Sequence, residues 1–308
     1  MRVLLIMGPT ASGKSALAQA LAERVGGEIV NADSMQVYGD LHVLTARPSA
    51  AEAARVPHHL YGHVDAGAPY SVGCWLGQAL AAIAAVRARG GLPILAGGTG
   101  LYFSALTKGL AGAPAIDPGL RAHLRARLAA EGAPALHAQL SRADVDSAAR
   151  LSRNDGVRIV RALEVLETTG RPIGALHVGT KPALAREDWA GIVLTPERKA
   201  LYTAIDARFE AMLKAGALEE ARALAARKLD PLVPAMKAHG APALMAHLRG
   251  EVSLEAAVAI AQRDTRRYAK RQFTWIGRQM GDWTPAPAAA LDARMERALS
   301  LLKGQEAT

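Results

Sequence analysis

The chain has 308 residues with a formal net charge of +9; half of them are hydrophobic and 21% are charged, which excludes a disordered or collagen-like protein and leaves room for about two domains. Its longest strictly apolar stretch, Ala79–Val86, has 8 residues, against the roughly 20 of a membrane-spanning helix. The apolar opening Val3–Met7 is too short for a signal peptide and the lone Cys74 cannot form an internal disulfide, so a cytoplasmic chain without a membrane partner is expected.

In chain order, residues 2–7 (RVLLIM) read as a buried parallel strand that stops at Gly8. Ser15–Val25 places Leu17 and Leu21 at helical spacing and ends at Gly26-Gly27. Glu28–Ala32 is a second strand breaking at Asp33; Trp75–Arg89 is an Ala-rich helix stopped by Gly90-Gly91; Leu92–Ala96 is a third strand breaking at Gly97-Gly98. This alternation predicts a doubly wound parallel α/β sheet, in which ligands bind beyond the carboxyl ends of the strands. From about Gly112 the character changes, and 117–170 predicts helices without a strand. The expected division is a first part of an α/β core over 1–112, a helical insertion over 113–189, and a return to the core with basic helices over 190–308. Ala190–Leu194 is the returning strand, long helices are expected over 199–228, 254–279 and 292–303, and Pro285–Ala290 reads as a linker.

Gly8-Pro9-Thr10-Ala11-Ser12-Gly13-Lys14-Ser15 fits G-x-x-x-x-G-K-[ST] between a strand and a helix, the context that motif requires. The fold expected is therefore a P-loop NTPase-like sheet flanked by helices. Consecutive backbone N–H groups and a helix N-terminus cradle phosphate, Lys14 adds a point charge, and Ser15 offers a hydroxyl to Mg²⁺. The strand Leu92–Ala96 ends in Gly97-Gly98-Thr99 rather than in the Asp of a Walker-type ATPase. Asp33, at the second strand end, faces the same crevice as Lys14; it could take a proton from an acceptor group or simply cap the next turn. A small-molecule kinase with an acid there is a competing reading. Thr99 stands on the opposite wall, and His58 and His59 read as structural because no further cluster completes a metal site.

The charge is unevenly spread: 7 basic against 6 acidic residues in 1–100, 14 against 10 in 101–200, and 16 against 12 in 201–308. A neutral chemical module followed by basic surface suggests a polyanionic partner. On a helix, Arg263, Arg266, Arg267, Lys270 and Arg271 form one basic face, interrupted by Tyr268 and Trp275 and interleaved only with Asp264. A second Arg-rich stretch runs over 150–161.

The motifs GPTASGKS (8–15), DSMQVY (33–38), VPHHLY (56–61), YSV (70–72), AGGTGLY (96–102), RIVRALEV (158–165) and TRRYAKRQFTW (265–275) occur in that order, and the set resembles the bacterial-type tRNA dimethylallyltransferases. The resemblance implies transfer of a dimethylallyl group from its diphosphate to the exocyclic amine of the adenosine beside the anticodon, so the loop holds prenyl diphosphate and no hydrolytic acid is needed. It implies a catalytic set of Asp33 as general base, Thr10 and Lys14 at the diphosphate, and Thr99, with Mg²⁺ on Ser15. It implies tRNA contacts at Asp33, Ser34, Met35, Gln36 and Thr99, at Arg121, and at Val157, Arg158, Ile159, Val160 and Arg161, alongside the basic positions Arg266, Arg267, Lys270 and Arg271. The expected partners are the tRNA anticodon stem-loop and dimethylallyl diphosphate, met by a monomer. The sequence departs from the family pattern where Val157 replaces a common Gln, where Leu44–Pro48 replaces G-T-A-K-P, and where a common I/V-G-Y-R/K-E/Q reads His239-Gly240-Ala241-Pro242-Ala243; roles near 237–242 carry over only to Lys237 and Gly240. A free adenine-nucleotide isopentenyltransferase shares the chemistry without needing the basic helix or the insertion.

Overall fold

Five consecutive apolar residues, Val3–Met7, form β1, and every one is buried, as a strand covered on both faces of a parallel sheet must be. The computed structural model describes residues 2–112, 114–176, 179–287 and 290–304. After the glycine loop come α1 (Lys14–Val25), which ends in a left-handed Gly26, and β2 (Gly27–Asn31). Then follow α2 (Ala50–Arg55), the two-residue β3 (His58–His59), α3 (Val72–Ala88), β4 (Leu92–Gly97) and α4 (Gly100–Thr107).

The next five helices are α5 (Pro118–Glu131), α6 (Ala133–Ala143), α7 (Val145–Arg150), α8 (Gly156–Thr169) and α9 (Ile173–Leu176). The chain returns through β5 (Trp189–Thr195), α10 (Arg198–Lys214), α11 (Ala217–Ala226), α12 (Ala241–Leu248), α13 (Leu254–Gln279), β6 (Thr284–Pro287) and α14 (Leu291–Leu302).

The six strands are all parallel in the order β3-β2-β4-β1-β5-β6. Leu4 pairs with Ile94 on one side and with Ala190 on the other, so β1 is central and the loop that follows it opens at the carboxyl edge of the sheet. The chain leaves β1 toward β2 and leaves β4 toward β5, and this reversal creates the crevice where ligands bind in such sheets.

Compact contacts divide the chain at 107 and 184, with 108–183 forming its own unit, where the sequence led us to expect 113–189. That unit is built only of helices among the described residues, around Leu124, Leu136, Leu140, Ile159 and Leu163. Two sequence readings need correction. The helix expected over 199–228 is two helices, because Gly216 sits at φ 100, a left-handed backbone that ends one helix and starts the next. The Pro/Ala run expected as a linker is instead strand β6, where Thr284–Pro287 pairs with Ile192–Thr195. It lies on a sheet edge, where a proline's missing N–H costs no ladder bond; Ala288 and Ala289 of that run lie outside the described residues.

Candidate active site

Backbone geometry makes the glycine loop an anion cradle. Ala11 at φ 62 and Gly13 at φ 86 adopt left-handed conformations on either side of Ser12, the kind of backbone that shapes anion-binding nests, while Ser12 N donates to Pro9 O at 3.2 Å and holds the turn closed. A Cβ on Gly8 would fall 2.6 Å from Ser12 Oγ and 3.0 Å from Leu194 Cβ, so a larger residue at the strand exit must displace the Ser12 hydroxyl. Gly13 caps α1 without a side-chain hydrogen bond, which leaves the first-turn N–H groups open. Ser12 Oγ is buried with no partner among the described residues, an orphaned hydroxyl in the cradle. Lys14 Nζ donates to Pro9 O at 3.4 Å. Burial pushes its ammonium down to about 8, Asp33 partly offsets this, and Arg208 adds to it. Ser15 is exposed at the first turn of α1.

Across the crevice, Asp33 is fixed from below. Asn31, fully buried at the end of β2, accepts from Asp33 N through Oδ1 at 2.8 Å and donates through Nδ2 to Asp33 O at 2.9 Å and Leu60 O at 3.0 Å. Asp33 Oδ1 accepts from Met35 N at 2.9 Å, the capping behaviour considered from sequence. Its Oδ2 has no partner among the described residues, so one carboxylate oxygen holds the turn and the other is free for chemistry. Thr99 accepts from Ser34 N at 2.9 Å and stands 3.3 Å from Ser34 Oγ, which locks the Asp33 turn to the end of β4. Gln36 donates to Thr45 O and Ala46 O at 2.9 and 3.0 Å; its amide N–H groups hold the 36–46 loop rather than reaching outward.

Sequence reasoning missed Arg208 and Gln272, which tie the two halves together. Gln272 Oε1 accepts from Thr10 N at 2.9 Å and its Nε2 donates to Gly98 O at 2.9 Å. Arg208, half-buried on α10, donates to Thr10 Oγ1. Burial lowers the Arg208 guanidinium and the Asp33 charge opposes the shift. Gln272 lay inside a basic motif, where a single amide carries no signal of its own; Arg208 had no motif at all.

These groups border a cavity of about 60 Å³. Thr10, Asp33, Arg208, His239 and Tyr268 supply its polar wall, and Leu44, Ile205, Phe209 and Met212 its apolar one. Tyr268 shares a hydrogen bond with Thr99, and burial raises its phenol well above the usual range. The residue that interrupts the basic stripe in the sequence is thus part of the cavity wall.

The family model described as IPP transferase matches residues 36–279, and one described as isopentenyl transferase matches residues 1–59. A tRNA dimethylallyltransferase of Rhodopseudomonas palustris is 58% identical over 96% of this chain and 94% of the relative. One from Nitrobacter hamburgensis is 59% identical over 91% and 90%. The chain belongs to the tRNA dimethylallyltransferase family. Among solved structures it is similar to the tRNA isopentenylpyrophosphate transferase of Bacillus halodurans, with a TM-score of 0.71, 33% identity and coverage of 98% of this chain and 96% of that one. It is also similar to a eukaryotic dimethylallyltransferase acting on tRNA, with a TM-score of 0.83, 27% identity and coverage of 99% and 80%.

The cation positions that the dimethylallyltransferase motifs single out are held differently in each unit. On α13, Arg266 is drawn to Asp206, while Arg263 and Arg267 share Asp264 at 3.0 and 3.6 Å. Lys270 and Arg271 are exposed and in no ion pair among the described residues, so the outward face is narrower than the five cations suggested. In the helical unit, Glu164, 4% exposed, draws in Arg121 and Arg161, each at 3.1 Å. Arg158 lies 3.6 Å from Asp155, and Val157 is 79% exposed. Ile159 and Val160 are corrected: they are buried in the core of that unit, because the same helical period that turns Val157, Arg158 and Arg161 outward turns them inward.

His59 bonds Glu28 at 2.6 Å and His58 bonds Val56 O at 2.9 Å, the structural roles expected of them. No group of three His, Cys, Asp or Glu side chains is gathered for a metal among the described residues. The orphaned Ser12 Oγ and the left-handed cradle suit a phosphate group, and Ser15 would offer its hydroxyl oxygen to a hard cation bound beside it.

Proposed function

We propose that this chain moves the dimethylallyl group of dimethylallyl diphosphate onto the exocyclic amine of the adenosine beside the anticodon of tRNA, releasing diphosphate. The observation that supports this reading most directly is that Thr10 of the phosphate loop, a carboxylate with one uncommitted oxygen, and an apolar wall share one cavity. The diphosphate lies in the nest of residues 8–15 and the five-carbon tail packs against Leu44, Ile205, Phe209 and Met212. The adenine amine is a weak nucleophile, since its lone pair is delocalised into the ring; Asp33 Oδ2 orients it and accepts its proton as the C–N bond forms. The electron pair of the breaking allylic C–O bond leaves with diphosphate. Lys14, the loop N–H groups and Thr10, backed by the Arg208 charge, stabilise that developing anion. Ser15 would hold Mg²⁺, which supplies further charge neutralisation there.

An anticodon-loop base must turn outward to enter such a cavity, at a cost of a few kcal/mol. Contacts from Ser34, Met35, the α13 cations, and Arg121, Arg158 and Arg161 offset it. On this reading the enzyme works as a monomer in the cytoplasm. No helix among the described residues is long and apolar enough to cross a membrane.

The test is to incubate the enzyme and Mg²⁺ with labelled dimethylallyl diphosphate and, in parallel, unmodified tRNA, AMP or ATP. Label in tRNA and not in AMP is the expected result; transfer to AMP selects the free-nucleotide enzyme, and ATP consumption without prenyl transfer a kinase. Asp33→Asn is expected to lower turnover by at least ~10²-fold with both substrates still bound. A loss under threefold removes Asp33 from the role of base.

A further inference from the structure

His239 stands between two spaces. Its imidazole borders the cavity that holds Asp33, and it also borders an outer groove of about 320 Å³ with Lys237, Pro242, Ile260, Arg267 and Arg271. The ring lies against Tyr268 at a centroid distance of 4.4 Å. The turn that presents it is fixed by Gly240, whose φ of 93 suits glycine and whose Cβ would run into the Phe209 ring. Burial, reinforced by Arg271 and opposed by Asp33 and Asp264, holds the imidazole below its ordinary range. At neutral pH it is therefore uncharged, with one N–H donor and one acceptor nitrogen.

Other hydroxyls on the cavity wall are engaged. Thr10 Oγ1 takes Arg208, Thr45 donates to Leu41 O at 3.0 Å, Thr265 donates to Ala261 O at 2.8 Å, and Tyr268 is shared with Thr99. His239 has no hydrogen-bond partner among the described residues, and beside it in the wall only Asp33 keeps a free carboxylate oxygen. The exocyclic amine of adenine is flanked by two ring nitrogens, both acceptors. Once the amine sits at Asp33, one of them is buried in this cavity and is costly to leave unpaired.

We propose that His239 is a specificity residue that donates a hydrogen bond to a ring nitrogen of the acceptor adenine while Asp33 holds its amine. The inference rests on the prenyl-transfer reading and names the contact that selects the acceptor base.

The experiment is a mutant cycle between protein and RNA. Anticodon stem-loops carrying adenosine, 1-deazaadenosine or 7-deazaadenosine at the acceptor position are assayed with the wild type, His239→Phe, which keeps a ring against Tyr268, and His239→Gln, which keeps a donor. One deaza substrate is expected to lose about tenfold in kcat/KM with the wild type. His239→Phe is expected to lose about tenfold on adenosine and nothing more on that deaza substrate, while His239→Gln stays within threefold of wild type. The KM for dimethylallyl diphosphate is expected to stay within twofold throughout, which a general loss of structure would not allow. Should the Phe variant fail to fold, His239→Val serves the same comparison.

The inference is overturned if neither deaza substrate is impaired in the wild type, if the penalty persists undiminished without the imidazole, or if the donor-free variant matches wild type on adenosine. Absence of transfer to the adenosine stem-loop by the wild type overturns the reaction reading instead.

Discussion

Lys14 is the point charge of the loop, yet it is half-buried and desolvation pulls its ammonium down to about 8. Below that pH it is a cation ready for diphosphate; above it the cation is lost before substrate arrives. The kcat/KM for dimethylallyl diphosphate, which reports the free enzyme, is therefore expected to fall as pH rises through about 8. Lys14→Arg is expected to abolish that limb whatever its absolute rate, and a pH profile for the two proteins checks it. Asn31 acts at the same scale: three hydrogen bonds from one buried amide set the Asp33 turn. Asp33 was legible from its place at a strand end, whereas Asn31 was one polar residue inside a run that predicted only a strand.

The three loops that make the site leave the sheet at β1, β2 and β4, and α13 joins them. Its buried stripe of Ala257, Ala261, Thr265, Ala269, Gln272 and Ile276 follows helical spacing, and small residues in that stripe let other elements approach closely. Gln272 then reaches both Thr10 N and Gly98 O. Gln272→Leu leaves two polar backbone groups without a protein partner, at about 1–3 kcal/mol each. Lower stability in denaturant and a higher KM for dimethylallyl diphosphate are expected together. At the carboxyl end of the β2–β4 pair, a Cβ on Gly97 would overlap the Ala32 carbonyl. Gly97→Ala is expected to cost about 3 kcal/mol or more, read as a lower denaturant midpoint. The strands, α1 and α13 were legible because period and glycine punctuation mark them. The break at Gly216 and the strand at Thr284–Pro287 were not, since a glycine in a helical pattern and prolines in a short run are ambiguous until neighbours are present.

For the whole molecule, positive charge lies mainly downstream of the first hundred residues, in 101–200 and in 201–308. Phosphate contacts by Lys and Arg release counterions, so affinity falls with salt at a slope of roughly 0.7–0.9 per contact. Replacing Arg267, Lys270 and Arg271 with Gln is expected to lower that slope by about 2–3 and to weaken tRNA binding, while the KM for dimethylallyl diphosphate stays put. Titrations of labelled tRNA at several salt concentrations check it. Arg121 and Arg161 differ in kind, because Glu164 fixes both guanidinium groups in place.

The sequence by itself determined the phosphate loop, the parallel sheet, the helical insertion and the family, because these are written locally: in contiguous glycines, in hydrophobic period, and in motifs whose order is fixed by the chain. Tertiary structure alone decided which side chains share a cavity. It brought Arg208 to Thr10, Gln272 to Gly98 and the imidazole of His239 into the wall that holds Asp33, and it turned Ile159 and Val160 into a core. Those pairings join residues far apart along the chain, and only packing sets the distances between them.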